Sequence, residues 1–552
     1  MKKITSIAIL LMLVMTRMPA QDVIVIEYNG STATVTVPDN IPDVIPVVNG
    51  TNVTIISNTT QKEYTYQVKG ASTDGSLIIN GSYKLTLQLA GVTLTNAHGG
   101  AVIDVECGKR IAVELADGTV NTLSDAAMGS QKAAFYIDGH AEFKGGGTLN
   151  VYGKLKHAIR AKEYVELKGS TGTINVLGAV SDGIHCGKGK VNNENNYFLM
   201  KGGIVNVFNV GGDGIDSDDY GVIRIEGGTL SLNIKDGDGL KADSTVTING
   251  GKINISVKGE DCKGIRANYA VNIAGGKTNI IVEGDGSKGI KAKRYESGST
   301  VLNGGELNIS GGEISVQCNG KNLYTESDIT KCVAVSVDTD LKQTAGDVYI
   351  IVFDEALAYT LGGETYQGSE THTGGTFNIR QVPWQVKTKD CQYDMTAYVV
   401  VSNNDERLTN YDAVSIGAFI GDECVGYGIF DEEDYGVIRI KGNDDALAQS
   451  VTFKLYSFSD QSEYNLTPNE TVTFQENASM GEPSNPIVLN YKMKLNGDAN
   501  DDGEVNAEDI VAITNYIAGK DGDVTEENAD VNGDGVVNIA DIIAVTHIIL
   551  GN

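Results

Sequence analysis

The amino-acid sequence predicts a mostly β protein, in which a long parallel β-helix is followed by a β-sandwich and a small α-helical module. Three observations lead to this fold class. A short motif recurs about every 25 residues between residues 157 and 292, and apolar and polar residues alternate between its copies. A twelve-residue acidic loop then occurs twice near the C-terminus. Periods between about 20 and 50 residues are typical of repeat architectures.

Residues 1–20 are predicted to form a secretory signal peptide. Lys2 and Lys3 precede an apolar run over residues 4–15, and a short segment ending at Ala20 follows. A basic start, an apolar centre and a small residue at the end are typical of such signals. The apolar run is too short to span a membrane, and no later stretch is long enough to do so. We therefore expect a secreted protein, extracellular or associated with the cell surface, without a membrane span.

The repeat over residues 21–385 predicts the β-helix. Glycine pairs separate short segments such as residues 252–257, in which apolar and polar residues alternate as they do in strands. We expect about three strands per coil, with like residues of successive coils stacked in columns about 4.8 Å apart. The apolar motif centres, which lie 25, 31, 25, 25 and 25 residues apart, are Ile159, Ile184, Ile215, Leu240, Ile265 and Ile290.

Composition limits the partners and the cysteine chemistry. The formal net charge of −29 makes nucleic acid an unsuitable partner, because nucleic-acid affinity depends on cations that neutralise phosphates. Seven cysteines cannot all pair within one chain. Cys186 and Cys262 lie in the repeats and are expected to be small core residues. Pairing of Cys391 with Cys424 is left open.

An acidic column is expected two residues before the apolar motif centres. Stacked carboxylates repel one another unless a metal ion or a basic neighbour compensates the charge. Calcium is one such ion, and the candidate ligands on the coil are Asp182, Asp213, Asp216 and Asp238.

Basic residues continue this column at Lys263 and Lys288, and others stand one residue after the motif centres. They predict a cationic stripe that could receive an acidic polysaccharide of the polygalacturonate type, with calcium bridging carboxylates. A salt-bridge ladder that compensates its own charge is the alternative, and the sequence leaves both open. The candidate carbohydrate-binding residues are Lys241, Lys263, Arg266, Lys288 and Lys291.

Residues 386–490 lose the repeat. They contain short alternating segments, such as residues 414–419 and 451–456, separated by polar turns. This pattern and length are typical of one small β-sandwich, to which we assign the role of a spacer.

Two acidic loops dominate the last segment, residues 491–552. In both loops, oxygen-bearing side chains stand at positions 1, 3, 5, 9 and 12, glycine stands at position 6, and position 7 offers its backbone carbonyl. This arrangement suits a hard cation such as Ca²⁺, which takes six to eight oxygen ligands. Residues 510–517 and 542–549 then show helical spacing of apolar residues. The predicted calcium ligands are Asp498, Asn500, Asp502, Glu504, Asn506 and Asp509, then Asp530, Asn532, Asp534, Val536, Asn538 and Asp541.

A duplicated loop followed by a helix, with no helix before it, resembles the type I dockerin. The resemblance implies a module that folds with calcium and binds a cohesin-like protein domain. Members of that family commonly carry a Ser-Thr pair at loop positions 10 and 11. Here these positions hold Ala507-Glu508 and Ile539-Ala540, so the resemblance implies an atypical partner or an intramolecular role.

The repeats, together with residues 66–70, 74–77 and 87–96, resemble secreted right-handed parallel β-helix carbohydrate-binding domains of anaerobic bacteria that degrade plant polysaccharides. The resemblance covers residues 22–382. It implies a right-handed coil, bound calcium and attachment to plant-type polysaccharides, with pectic chains as the candidate.

Two other function classes stay open at this stage. Polysaccharide lyases and glycoside hydrolases also use β-helices, and the carboxylates of Asp182, Asp213 and Asp216 could serve either chemistry. A surface adhesin or structural protein is the third class. No short catalytic motif is evident, so we assign no catalytic residue and expect a protein without enzymatic activity.

Overall fold

The structure is a computed structural model. It describes residues 23–187, 196–297, 300–362, 367–387, 391–403, 406–409, 411, 414–430, 435–458, 461–491, 496–520 and 524–550. The predicted signal peptide lies outside the described residues. The chain separates into two compact units, one ending at Gln381 and the other beginning at Val382. Among the described helices, none combines the length and the apolar character that crossing a membrane requires.

The chain up to residue 382 is built from strands. The first thirteen are β1 Val23–Asn29, β2 Thr32–Thr36, β3 Val44–Asn49, β4 Asn52–Ser57, β5 Thr65–Ser72, β6 Ser76–Gly81, β7 Leu85–Thr95, β8 Ile103–Glu106, β9 Arg110–Leu115, β10 Val120–Ser124, β11 Ala133–Ile137, β12 His140–Lys144 and β13 Thr148–Gly153. The strands of the repeat are β14 His157–Ala161, β15 Val165–Leu167, β16 Thr173–Ala179, β17 Ile184–Cys186, β18 Tyr197–Met200, β19 Ile204–Phe208, β20 Ile215–Ser217, β21 Val222–Ile225, β22 Thr229–Ile234, β23 Leu240–Ala242, β24 Thr245–Ile248, β25 Lys252–Val257, β26 Lys263–Ala267, β27 Ala270–Val282 and β28 Lys288–Ala292. The remaining strands are β29 Arg294–Ser297, β30 Thr300–Gly304, β31 Glu306–Cys318, β32 Leu323–Tyr324, β33 Ile329–Thr330, β34 Val333–Val337, β35 Leu341–Phe353, β36 Leu357–Leu361, β37 Glu370–His372 and β38 Thr376–Val382.

From β14 to β24, each strand pairs in parallel with the third strand after it. β14 pairs with β17, β15 with β18 and β16 with β19, so one coil contributes three strands. The pairings join into a 13-stranded sheet and a 21-stranded sheet among the described residues. This arrangement is consistent with a parallel β-helix. The handedness of the coil stays a prediction.

The core of the first unit follows the motif centres. Ile159, Ile184, Ile215 and Leu240 are consecutive partners in the 13-stranded sheet, and all four are fully buried. Stacking like residues lets each coil bury the apolar face of its neighbour, which no coil can do alone. The period of 25 residues is therefore the length of chain that returns to the same column.

The structure describes all seven cysteines, and none forms a disulfide bond. Cys186 and Cys262 are buried in the first unit, as the sequence predicts. The pairing of Cys391 with Cys424 is not formed: the thiol of Cys424 is buried and donates to the Gly426 carbonyl, whereas Cys391 is only half-buried.

The second unit contains mostly antiparallel strands followed by helices. Nine strands surround one apolar core among the described residues, and the sandwich architecture and the spacer role stay predictions. The strands are β39 Tyr393–Asn403, β40 Glu406–Arg407, β41 Val414–Ile420, β42 Glu423–Ile429, β43 Gly436–Gly442, β44 Thr452–Ser457, β45 Ser462–Pro468, β46 Ser479–Met480 and β47 Ile487–Tyr491, with a 3₁₀ turn at Asp444–Ala446.

The helices are α1 Ala507–Ile517, α2 Glu526–Ala529 and α3 Ile539–Leu550. α1 and α3 follow the two acidic loops as predicted, and Ile513 and Val545 form the centre of a small core with Ala499 and Ala529. The short helix α2, directly before the second loop, differs from the expectation of no preceding helix. It forms because this segment lies against the first loop, where the Asn528 amide donates to the Asp498 carbonyl at 3.1 Å.

Candidate functional site

One column of side chains runs along the outer face of the 13-stranded sheet. Its members are partners in successive strands, so each stands beside the next along the coil axis. The predicted register of the basic residues is seen in the pairing of Lys241 with Arg266 and of Arg266 with Lys291. In chain order the column contains Asp104, Tyr136, Arg160, His185, Asp216, Lys241, Arg266, Lys291, Ser336 and Thr360.

The acidic column stands beside it, and its carboxylates are tied to the backbone of the next coil. Asp182 Oδ1 accepts a hydrogen bond from the N–H of Asp213 at 3.0 Å. Asp213 Oδ1 accepts from the N–H of Asp238 at 2.7 Å, and Asp238 Oδ1 accepts from the N–H of Lys263 at 2.8 Å. One oxygen of each carboxylate is therefore satisfied by the same contact in three successive coils.

The second oxygen of each carboxylate faces a basic side chain. Asp213 Oδ2 lies 2.8 Å from Lys241 Nζ, and Asp238 Oδ2 lies 3.5 Å from Arg266 Nη1. Backbone donors and cations thus offset the repulsion within the column. Asp216, which lies in the neighbouring column, has an oxygen 3.4 Å from Lys241 Nζ. Calcium at these aspartates stays a prediction, but a basic neighbour supplies the compensation at Asp213 and Asp238.

At Asp182 the second oxygen faces two imidazoles. Asp182 Oδ2 lies 2.9 Å from His185 Nδ1 and 3.0 Å from His157 Nδ1. Burial raises the pKa of the Asp182 carboxyl, but the two imidazoles outweigh burial and hold that pKa well below its usual range. Burial likewise lowers the pKa of His185, and contacts with Asp182 and Asp216 outweigh it, so the pKa of His185 is raised.

Burial and nearby charges also have opposite effects on the pKa values of Asp216 and Lys241. Burial raises the pKa of Asp216 to about 6, although His185 and Lys241 act to lower it. Burial disfavours the Lys241 ammonium, but Asp213 and Asp216 outweigh burial and raise the pKa of Lys241 above its ordinary value. Lys241 is therefore a permanent cation between these two carboxylates.

The remaining predicted carbohydrate-binding residues also have carboxylate neighbours. Lys263 and Lys288 share Asp261, at 3.1 and 3.0 Å, and Lys291 Nζ lies 2.6 Å from Asp338. The basic stripe is thus a set of cations whose charge is partly compensated. An anionic ligand would have to compete with these carboxylates.

A cleft at the other end of the column was not predicted from the sequence. It has a volume of about 250 Å³, and Asp104, Glu106, Lys132 and Tyr136 lie on its wall. Asp104 Oδ1 is buried without a hydrogen-bond partner, and burial, Glu106 and Asp138 raise the pKa of Asp104 to about 7. The 25-residue period does not lead to Asp104, because Tyr136 lies 24 residues before Arg160 but 32 residues after Asp104.

In the second unit, the two acidic loops share one pattern of hydrogen bonds from backbone N–H groups to aspartate carboxylates. In the first loop, Asp498 accepts hydrogen bonds from the N–H groups of Asp502 and Gly503, at loop positions 5 and 6. Asp509 accepts from the N–H groups of Asn500 and Asn506, at positions 3 and 9. In the second loop, Asp530 and Asp541 accept from the N–H groups at the same four positions.

These contacts fit a site for a hard cation. Asp498, Asp509 and Asp541 are fully buried, and no salt bridge to a basic side chain reaches them in the described part of the chain. Buried carboxylates that meet only backbone donors leave negative charge uncompensated, which a divalent ion would neutralise. The oxygen-only donor set of each loop suits calcium.

Comparison with known proteins gives two family matches. Residues 49–263 match a model of carbohydrate-binding domain-containing proteins, and residues 496–550 match the type I dockerin domain. No curated protein sequence matches the chain. Among solved structures the chain is similar to a polysaccharide lyase-like protein from C. thermocellum, solved as a gadolinium derivative. The identity is 18%, the match covers 64% of this chain and 99% of that chain, and the TM-score is 0.27. The chain is thus similar to carbohydrate-binding domain-containing proteins over one segment and to the type I dockerin domain over another, C-terminal one.

Proposed function

We propose that the protein is a secreted carbohydrate-binding component that attaches plant-type polysaccharides to a cohesin-bearing partner in support of polysaccharide degradation. The family match of residues 49–263 supports the carbohydrate-binding part. The dockerin match of residues 496–550 supports the attachment and a location outside the cell.

The observation that carries the choice of ligand is the register of the cations on one face of the first unit. Lys241, Arg266 and Lys291 stand on three successive coils, about 4.8 Å apart along the axis. A chain of uronate carboxylates lying along the axis would meet one cation per coil, and charge-assisted hydrogen bonds to carboxylates are the stronger kind. We therefore infer an acidic, pectic-type chain as the ligand.

A matched pair of variants tests this ligand on the full chain. Arg266→Gln with Lys291→Gln removes two positive charges from the candidate face. Lys252→Gln with Lys277→Gln removes two from paired strands of the other sheet. We expect polygalacturonate binding to weaken at least about tenfold in the first variant, to stay unchanged in the second, and to decline as salt rises. Equal binding by both variants would contradict the proposal.

The dockerin domain supplies the second half of the function. We propose that its two loops bind Ca²⁺ through the twelve predicted ligands, and that its helices then bind a cohesin-like domain. In support, α1 and α3 leave large apolar side chains exposed, among them Val511, Ile543 and Leu550. Exposed apolar patches on small domains mark interaction surfaces.

A second candidate function, glycoside hydrolysis, is favoured by the cleft around Asp104. A half-buried carboxyl with a pKa of about 7 is about half protonated at neutral pH and can donate that proton as a general acid does, and Glu106 and Asp138 are nearby carboxylates. Release of reducing ends from a polysaccharide, lost in Asp104→Asn, would establish this activity. Absence of product from a broad set of plant polysaccharides would leave carbohydrate binding alone.

A further inference from the structure

The charge pattern of the acidic column breaks at Asp182. Asp213 is compensated by Lys241 and Asp238 by Arg266, in each case from the next coil. The residue that stands in that place beside Asp182 is Asp216, the column partner of Lys241. An acidic side chain therefore occupies the position that holds a cation in the following two coils.

Two histidines converge on this point. The rings of His157 and His185 stack with their centroids 4.4 Å apart, and both Nδ1 atoms lie within 3.0 Å of Asp182 Oδ2. His185 Nδ1 is also 3.3 Å from Asp216 Oδ2. Two imidazole nitrogens and two carboxylate oxygens thus gather from three successive coils.

These atoms are buried and incompletely satisfied. His157, Asp182, His185 and Asp216 are 3%, 6%, 4% and 4% exposed. His157 Nδ1 lacks hydrogen-bond alignment despite its short distance from Asp182, whereas His185 Nε2 and Asp216 Oδ1 have only the longer ionic contacts with Asp218 and Lys241, at 3.5 and 3.4 Å. A buried polar atom without a hydrogen bond is costly, and a bound ion would give His157 Nδ1 the partner that it lacks.

The local charge balance also favours a bound cation. Asp182, Asp213, Asp216 and Asp218 bring four carboxylates to the cluster. Lys241 contacts two of them, and Arg160 also acts on the cluster. With neutral histidines, two negative charges are left over, which one divalent ion would balance.

We propose that His157, Asp182 and His185 hold one divalent ion of the zinc class. Zinc takes nitrogen and oxygen ligands tetrahedrally at about 2.0–2.2 Å, which separates its ligand atoms by roughly 3.3 Å. Both Nδ1 atoms lie 2.9–3.0 Å from Asp182 Oδ2, and ligand atoms of the three residues all lie within 4.8 Å of one another, so modest side-chain adjustment would complete the site. Imidazole ligands favour zinc over calcium, which prefers oxygen. Because all three side chains are buried, the ion fastens two successive coils together and does not depend on the proposed glycan.

The test uses the full mature chain without a histidine tag, at saturating calcium so that the dockerin loops are filled. Zinc is titrated by calorimetry, and bound zinc is counted by mass spectrometry after dialysis. We expect one zinc per chain, and none in His157→Asn with His185→Gln. The matched control His98→Gln, which removes an exposed imidazole beside Asp74, should keep the zinc.

Cobalt keeps the proposal testable if the double variant does not fold. Co²⁺ bound to the wild-type chain at this site should show the intense visible absorption of a tetrahedral complex, removed by stoichiometric zinc. Absent cobalt bands, equal zinc in the double variant, or calcium as the sole ion bound would overturn the proposal. In the last two cases a protonated His185 between Asp182 and Asp216 would replace the metal ion.

Discussion

Two regions of this molecule concentrate aspartates, and they differ in what faces the second carboxylate oxygen. In the dockerin loops, both oxygens of Asp498 accept backbone N–H groups, and no salt bridge reaches it within the described residues. In the acidic column of the first unit, one oxygen of Asp213 accepts a backbone N–H and the other meets Lys241. Asp213 therefore has a cationic partner that Asp498 lacks among the described contacts.

The largest effect is expected from removing the position-1 aspartates of both loops. The core within residues 496–550 contains few buried side chains, so we expect the free energy of calcium binding to supply much of its folding free energy. Asp498→Ala with Asp530→Ala should leave residues 496–550 open to protease, and the wild-type domain should bind two Ca²⁺ by calorimetry. Asp501→Asn, at loop position 4, is the control and should keep both ions. Fewer than two Ca²⁺ per wild-type domain would contradict this prediction.

Removing the cation of the acidic column should cost less. Lys241→Met keeps the aliphatic stem but leaves Asp213 and Asp216 without their shared ammonium. We expect the free energy of unfolding of the first unit to fall by about 1–3 kcal/mol, because buried charges lose their partner. The control Lys252→Met, on the other sheet and exposed, should change it by less than about 0.5 kcal/mol. The free energies of unfolding of both variants are measured with a denaturant. Equal values for Lys241→Met and Lys252→Met would show that the column does not need Lys241.

A pH-dependent effect is expected at Asp104, which no cation compensates in the contacts described. Its native pKa of about 7 lies above the value of about 3.9 in the unfolded chain. Between these values the native state binds more protons, so stability is highest at low pH and falls as pH rises to about 7. Asp104→Asn should flatten that decline in denaturant unfolding measured from pH 4 to pH 8. The same decline in the variant would assign it to other groups.

The sequence predicted the loops more completely than the column because the loop donors lie within twelve consecutive residues. The spacing placed Asp498 and Asp509 at positions 1 and 12 of one loop, and the structure adds the backbone N–H groups that donate to them. The coil period likewise predicted the register of Lys241 and Arg266. Asp261 and Asp338, which contact Lys288 and Lys291, stand neither two residues before nor one residue after a motif centre. The period therefore did not predict these ion pairs.

The histidine cluster was missed for a related reason. His157 occupies the acidic column one coil before Asp182, where the motif begins with a different residue type. Its side chain meets His185 only because the coils stack, as their rings show. Sequence periodicity predicts which residues share a column, while contacts between two columns depend on side-chain direction, which the period does not give.

Hydrogen exchange of the full chain, with and without a calcium chelator, tests the contrast between the two regions most directly. The informative amides are those of Gly503 and Gly535 in the loops and those of Asp238 and Lys263 in the column, which all donate to aspartate carboxylates. We predict that calcium removal abolishes protection at the two loop amides and leaves the two column amides protected. Loss of protection at Asp238 and Lys263, or unchanged protection in the loops, would contradict the account.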